Sequence, residues 1–128
     1  MKYIVLSVAA ILVVYIAYKT YRWFTLAEGL AQQVRKGAVI LDVRTAGEYN
    51  TGHIEGAVNI SLGTLRERYA ALDPRNTYIT TCSHGLRSVK AANILKERGF
   101  KKVFNGGAWP DLEKIIRETQ KPSRQELQ

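Results

Sequence analysis

The chain holds a single cysteine, three prolines and two histidines in 128 residues. The lone Cys82 makes no internal disulfide, so no disulfide framework supports the fold. It is a buried apolar filler, a free surface thiol or a nucleophile. No second cysteine is present to resolve a mixed disulfide, which sets thiol–disulfide oxidoreductase chemistry aside. His53, His84 and Cys82 are scattered without metal-ligand spacing, so neither a metal nor another cofactor is expected. The net charge is +8, yet no run of five basic residues occurs and no nucleic-acid motif accompanies the charge. Nucleic acid is therefore not an expected partner, and the excess is read as solubility plus attraction to anionic headgroups or an anionic substrate. There is no internal repeat, and the length suits one domain of ordinary size.

What is present begins with Tyr3–Tyr18, YIVLSVAAILVVYIAY, which carries no charge and only Ser7 as a clearly polar residue. As a helix it spans roughly 24 Å, slightly short of a hydrocarbon core of about 30 Å. Lys19 and Arg22 can snorkel, and Tyr15, Tyr18, Tyr21 and Trp23 suit an interfacial belt. The segment is read as a retained single-pass anchor in an inner or plasma membrane. A cleaved signal is disfavoured because Ile16-Ala17-Tyr18-Lys19-Thr20-Tyr21 offers no small-x-small site. Lys19, Arg22, Arg35 and Lys36 follow the apolar run, which favours a cytoplasmic domain, with the periplasm as the alternative. The expected division is residues 1–24 as anchor and juxtamembrane segment, 25–118 as the folded domain and 119–128 as a loose polar tail.

In the folded part, Thr25 is predicted to cap a helix over 26–35, ended by Gly37. Val39–Val43 reads as a strand buried on both faces, and Ala57–Ile60, Tyr78–Thr81 and Val103-Phe104 as further strands. Leu62, Leu65, Tyr69 and Leu72 mark a helix face that ends at the turn Asp73-Pro74-Arg75-Asn76. A helix over Leu86–Arg98 is expected to carry Leu86, Val89, Ala92 and Leu95 on one side, with Gly99 and Phe100 as its C-terminal cap. Pro110 starts a last helix with Leu112, Ile115 and Ile116 inward. Strands alternating with helices imply an α/β domain around a mostly parallel sheet, whose sites form outside the carboxyl ends of strands.

The loop at such an end is Cys82-Ser83-His84-Gly85-Leu86-Arg87-Ser88. Loop N–H groups, the start of the following helix and the fixed charge of Arg87 all favour a thiolate over a thiol. Gly85 fits a turn needing positive φ. Ser83 and Ser88 can donate hydrogen bonds to the sulfur. His84 is either an anion-binding or proton-handling side chain or a solvated loop histidine. The same cradle would hold an anion.

Two separated motifs give the chain its resemblance. Leu41-Asp42-Val43-Arg44-Thr45, Glu48-Tyr49 and Gly52-His53-Ile54-Glu55-Gly56-Ala57-Val58-Asn59-Ile60 form one. Cys82–Ser88, of the pattern C-x-x-G-x-R-S, forms the other, and Asn105-Gly106-Gly107-Ala108-Trp109 resembles a terminal G-G-x-x-x-W region with the tryptophan set closer. Together they resemble the rhodanese, or sulfurtransferase, family over about Thr25 to Glu118. The resemblance implies a five-stranded, largely parallel sheet flanked by helices, with Cys82 as nucleophile and Ser83, His84, Gly85, Leu86, Arg87 and Ser88 as the substrate cradle. Asp42, Arg44 and His53 are implied as supporting residues, with Glu48 and Tyr49 as scaffold. The implied function moves sulfane sulfur from thiosulfate or another persulfide donor to a thiol or cyanide acceptor through a Cys82 persulfide. The anchor adds the membrane as partner, with a membrane protein as a further candidate. With few basic residues in the loop and Glu48 able to repel a dianion, thiosulfate is expected to be a poor donor.

Two rivals remain. A cysteine phosphatase resembles this cradle but places five residues between Cys and Arg, where this chain has four. A membrane-tethered binding module without turnover would not be expected to keep both Cys82 and Arg87.

Overall fold

The computed structural model describes residues 1–122. It opens with one continuous helix, α1 (Lys2–Arg35). The expected fresh start at Thr25 is not seen. No proline or glycine stands between Tyr18 and Leu26, and the Thr25 hydroxyl donates back to the Tyr21 carbonyl at 2.6 Å instead of capping. Apolar side chains of the first half are exposed all round, and α1 is long and apolar enough to cross a membrane. Length and composition alone carry that statement.

After α1 come β1 (Val39–Asp42), α2 (Ala46–Thr51), β2 (Val58–Asn59), α3 (Leu62–Arg68) and a 3-10 turn at Tyr69–Ala71. Then follow β3 (Tyr78–Cys82), α4 (Leu86–Glu97), β4 (Val103–Ala108) and α5 (Trp109–Thr119). The four strands form a parallel sheet in the order β2-β1-β3-β4. The expected fifth strand is not among the described residues: the segment ahead of β1, which could supply another edge, is taken up by α1. The tail expected to be loose lies mostly outside the described residues.

Alternation along the strands sends side chains to two cores. Leu41, Val43, Tyr78 and Cys82 face α3 and α4, where Leu65, Ala91, Ala92, Ile94 and Leu95 close the layer. Ile40 and Ile79 face the other way, against Leu112 of α5 and Leu30 and Val34 of α1. Leu41, Ile79, Leu95 and Leu112 are fully buried, each contributing about 1.5–3 kcal/mol over an exposed position. Gly106 marks the tightest crossing. A β-carbon there would lie 2.7 Å from Ile79 Cγ2 and 2.8 Å from both Leu112 Cδ2 and the Thr80 carbonyl oxygen, so only glycine lets α5 and β3 close on β4.

The α4 cap forms as expected: Gly99 has φ of 92°, and the Phe100 N–H returns to the Leu95 carbonyl at 3.0 Å. The expected side of α4 is divided between core and solvent. Ser88, Ala91, Ala92, Ile94 and Leu95 are buried, while Leu86 and Val89 point to solvent. The helix phase is set by Ser88, which is drawn under the Cys82 sulfur and next to Thr80.

Candidate functional site

Strand β3 carries Cys82 to its carboxyl end, opposite Ala108 of β4. The chain then turns through Ser83, His84 and Gly85, whose φ of 97° suits glycine, and enters α4. The Cys82 Sγ accepts the Gly85 N–H at 2.9 Å and the Ser88 N–H at 3.4 Å. Burial pushes the thiol pKa up, but the Ser88 hydroxyl and the N–H groups of Ser88, Gly85 and His84 outweigh it, and the net shift is downward. The Ser88 hydroxyl also donates to the Gly85 carbonyl at 2.9 Å. The site can thus hold a sulfur anion without a metal or an adjacent base.

The lowered pKa has a measurable consequence. The rate of Cys82 alkylation by iodoacetamide should rise with pH through a midpoint below the value of about 8.5 typical of a free thiol. Ser88→Ala, which removes a donor to the thiolate, should move the midpoint upward. An unchanged midpoint would leave the backbone N–H groups as the whole cause.

Arg87 and Ser83 are turned differently from expectation. The Arg87 guanidinium forms a paired fork on Glu48, Nη1 to Oε1 and Nη2 to Oε2, both at 2.8 Å. Ser83 donates to Glu48 Oε2 at 3.0 Å instead of to the sulfur, and accepts from Arg87 Nη2 at 3.1 Å. Arg87, followed by Ser83 and Thr45, holds the Glu48 carboxyl far below the usual carboxylate range, while Glu48 raises the Arg87 pKa. Glu48 therefore belongs to the rim of the cradle, within reach of a bound anion as its charge suggested, but paired with Arg87, which the scaffold reading did not foresee. The signal was in the sequence. Thr45-x-x-Glu48 is a capping box, formed here at the start of α2, and it fixes the carboxylate where the loop can reach it. His84 is exposed, and only its backbone N–H faces the sulfur.

The supporting residues form a buried clamp behind the loop. Arg44 Nε lies 3.0 and 3.1 Å from the two Asp42 carboxylate oxygens, and Nη2 lies 2.8 Å from Oδ2. The same guanidinium donates to the carbonyls of Gly52 at 2.7 Å and Glu48 at 3.3 Å, and stacks 5.0 Å from the Trp109 ring. This ties the first turn of α2 and its C-terminal cap to the sheet. Asn59 adds hydrogen bonds to the Asp42 and Arg44 carbonyls. His53 is exposed, stacked on Tyr49 with ring centroids 3.7 Å apart, and its Nδ1 lies 2.7 Å from the Tyr49 carbonyl. It stands on α2's far end and is not brought to the sulfur.

Residues 26–107 match the rhodanese-like domain family. The chain is 44% identical over 66 residues to the putative sulfur carrier protein YrkF of Bacillus subtilis, covering 52% of this chain and 36% of YrkF. It is 36% identical over 78 residues to the thiosulfate sulfurtransferase GlpE of Shewanella oneidensis, covering 58% of this chain and 77% of GlpE. It is also 36% identical over 74 residues to the thiosulfate sulfurtransferase PspE of Escherichia coli, covering 56% and 71%. Among solved structures, a rhodanese with anions from E. coli superimposes with a TM-score of 0.55 at 36% identity, over 59% of this chain and 91% of that one. The alternating parallel fold, the cysteine cradle after β3 and a family match across the whole sheet agree: the chain belongs to the rhodanese-like domain family.

Proposed function

We propose that the chain is a membrane-anchored sulfurtransferase whose Cys82 carries sulfane sulfur as a persulfide. The Cys82 thiolate attacks the outer sulfur of a donor. The donor S–S bond breaks, its electron pair leaves on sulfite or on a thiolate, and a new S–S bond forms at Cys82. An acceptor thiolate, or cyanide in the test tube, then takes the outer sulfur and returns Cys82 as thiolate. The N–H groups of Gly85 and Ser88 stabilise the anionic sulfur before and after loading. Ser83–Ser88 form the substrate cradle, and Asp42 and Arg44 position α2 behind it. Residues 1–24 anchor and 25–118 fold as the sulfurtransferase domain. Cations following the apolar run support a cytoplasmic side.

The carrying observation is the Cys82 sulfur held by two N–H groups at the carboxyl end of β3. Its test is intact-mass measurement of the detergent-solubilised chain after exposure to thiosulfate or to a low-molecular-weight persulfide. A gain of one sulfur atom, reversed by cyanide, is expected. No gain with either donor would turn the reading to a membrane-tethered binding module.

The Glu48–Arg87 fork supports a persulfide over thiosulfate as the natural donor, because the rim cation is already matched by a carboxylate. Glu48→Gln keeps the shape and removes the charge. One charge acting on a dianion some 7 Å away in a water-like dielectric is worth on the order of 1 kcal/mol, about fivefold to tenfold. Loading from thiosulfate should quicken by that factor, and loading from a persulfide, which carries one negative charge instead of two, by about its square root. A slower thiosulfate reaction would mean that the fork acts by holding the loop in place.

A further inference from the structure

The end of the domain from which α1 emerges is set by three neighbours. Helix α1 ends in a short turn, Lys36–Ala38, that leads into the amino end of β1, so α1 runs antiparallel to the sheet. Its early turns lie beside the other end. Arg22, Trp23 and Leu26 share a groove with Gly107 and Ala108 at the carboxyl end of β4, and Trp23 and Phe24 share a second with Asp111 in the first turn of α5. At the opposite end, Arg35 lies with Glu118 and Thr119 in the last turn of α5. The helix therefore leaves the domain on the face that carries Cys82, since Cys82 and Ala108 are paired across the ladder.

From Trp23 back to Tyr18, the end of the charge-free run, is five residues of unbroken helix, a rise of about 8 Å. Lys19 and Arg22 occupy that interval, and Trp23 and Phe24 are exposed beside it. On the far side of the sheet the same face presents Leu86, 77% exposed, with Val89 beside it. These are the two apolar residues that the phase of α4 turns outward. Cys82 sits between the aromatic and cationic exit of α1 and this apolar rim.

We propose that this face is a membrane-docking surface: the mouth of the Cys82 cradle lies against an anionic bilayer, with Leu86 and Val89 at the headgroup boundary. The assignment rests on the reading of α1 as a membrane span. Its chemical complements are cations for lipid phosphate, at Lys19 and Arg22, and apolar and aromatic side chains for the interface, at Trp23, Phe24, Leu86 and Val89. A donor or acceptor would then meet Cys82 at the lipid surface, as a thiol or persulfide held by a lipid-soluble molecule or at the exposed base of another membrane protein. The opposite end of the domain, with Lys101 and Lys102 ahead of β4, would face away by the length of the strand, roughly 20 Å.

The test uses the full chain in phosphatidylethanolamine–phosphatidylglycerol nanodiscs, whose two faces are equally open to solutes. Nitroxides are attached at Leu86→Cys and at Lys101→Cys, each in a Cys82→Ser background. Both positions are exposed, so neither substitution disturbs a core. Power saturation compares collisions with oxygen, concentrated in lipid, against collisions with a water-soluble nickel chelate. The oxygen-to-nickel ratio is expected to be several-fold higher at position 86 than at position 101. Equal ratios, or a higher one at 101, would overturn the docking while leaving the span intact. Release of the chain from membranes by alkaline carbonate would remove the span itself and the docking with it. Neither result touches sulfur loading of Cys82, which the intact-mass measurement reads separately.

Discussion

Cys82→Ser should lose sulfur loading from every donor and reduce turnover to the uncatalysed background, a fall of at least about a thousandfold. A serine hydroxyl does not form the S–S bond on which both half-reactions depend. The N–H groups of Gly85 and Ser88 would still find an acceptor in the serine oxygen, so the variant should melt within a few degrees of the parent. Loss of activity with retained fold then belongs to the sulfur and not to a disturbed loop. In the parent, initial rates measured against one substrate at several fixed levels of the other should give parallel lines, as a carrier that alternates between loaded and empty forms requires. Residual turnover in the serine variant, or intersecting lines in the parent, would mean that sulfur passes directly from donor to acceptor, and the two-step scheme would fail.

Arg44→Leu is expected to destabilise the domain by about 3–5 kcal/mol, the usual consequence of leaving one member of a buried ion pair without its partner. Asp42 is 0% exposed and Arg44 3% exposed, so water cannot take the place of the guanidinium without opening the sheet. The loss is compounded because the Gly52 and Glu48 carbonyls lose their donor as well. Against a typical total of about 5–15 kcal/mol, such a change removes much of the folding margin. Arg44→Lys should recover little, since a lysine cannot span the carboxylate and two carbonyls with a planar fork. Urea unfolding followed by circular dichroism would read the difference. A shift below about 1 kcal/mol would show that the clamp is dispensable, and that the capping box alone holds α2.

What could be read from the sequence follows from how strong each local signal was. Val39–Val43 announced β1 because a strand covered on both faces has no polar alternation to blur it, and Tyr78–Thr81 announced β3 by its run of aromatic and β-branched residues. The loop after β3 was legible because cysteine, glycine and arginine at close spacing stood between a strand and a helix start, where the structure puts them. Helix α2 was not read as a helix. Its six residues, AGEYNT, carry no apolar stripe, and only the Thr45–Glu48 box marks it. The outward turn of Leu86 and Val89 was hidden for a different reason. Hydrophobic spacing alone would have grouped Leu86 and Val89 with the buried Ala92 and Leu95, but Ser88 is bound by its N–H to Cys82 and by its carbonyl to Thr80, so chemistry at one end of the helix fixes its rotation. The partnership of Glu48 with Arg87 joins residues 39 positions apart, and no periodicity reports that.

Cys82 is only 1% exposed, although it stands at the centre of the cradle. If it carries sulfur, the carrying atom is sunk and the cargo is what stands proud. The loop then works as a gauge. Slender reagents that lead with a single atom, such as a terminal sulfur or cyanide, can reach the bottom, whereas a flat ring such as a maleimide meets the rim first. A thiol titration of the native chain with a bulky reagent would therefore undercount its one cysteine, and the missing thiol would reappear on unfolding.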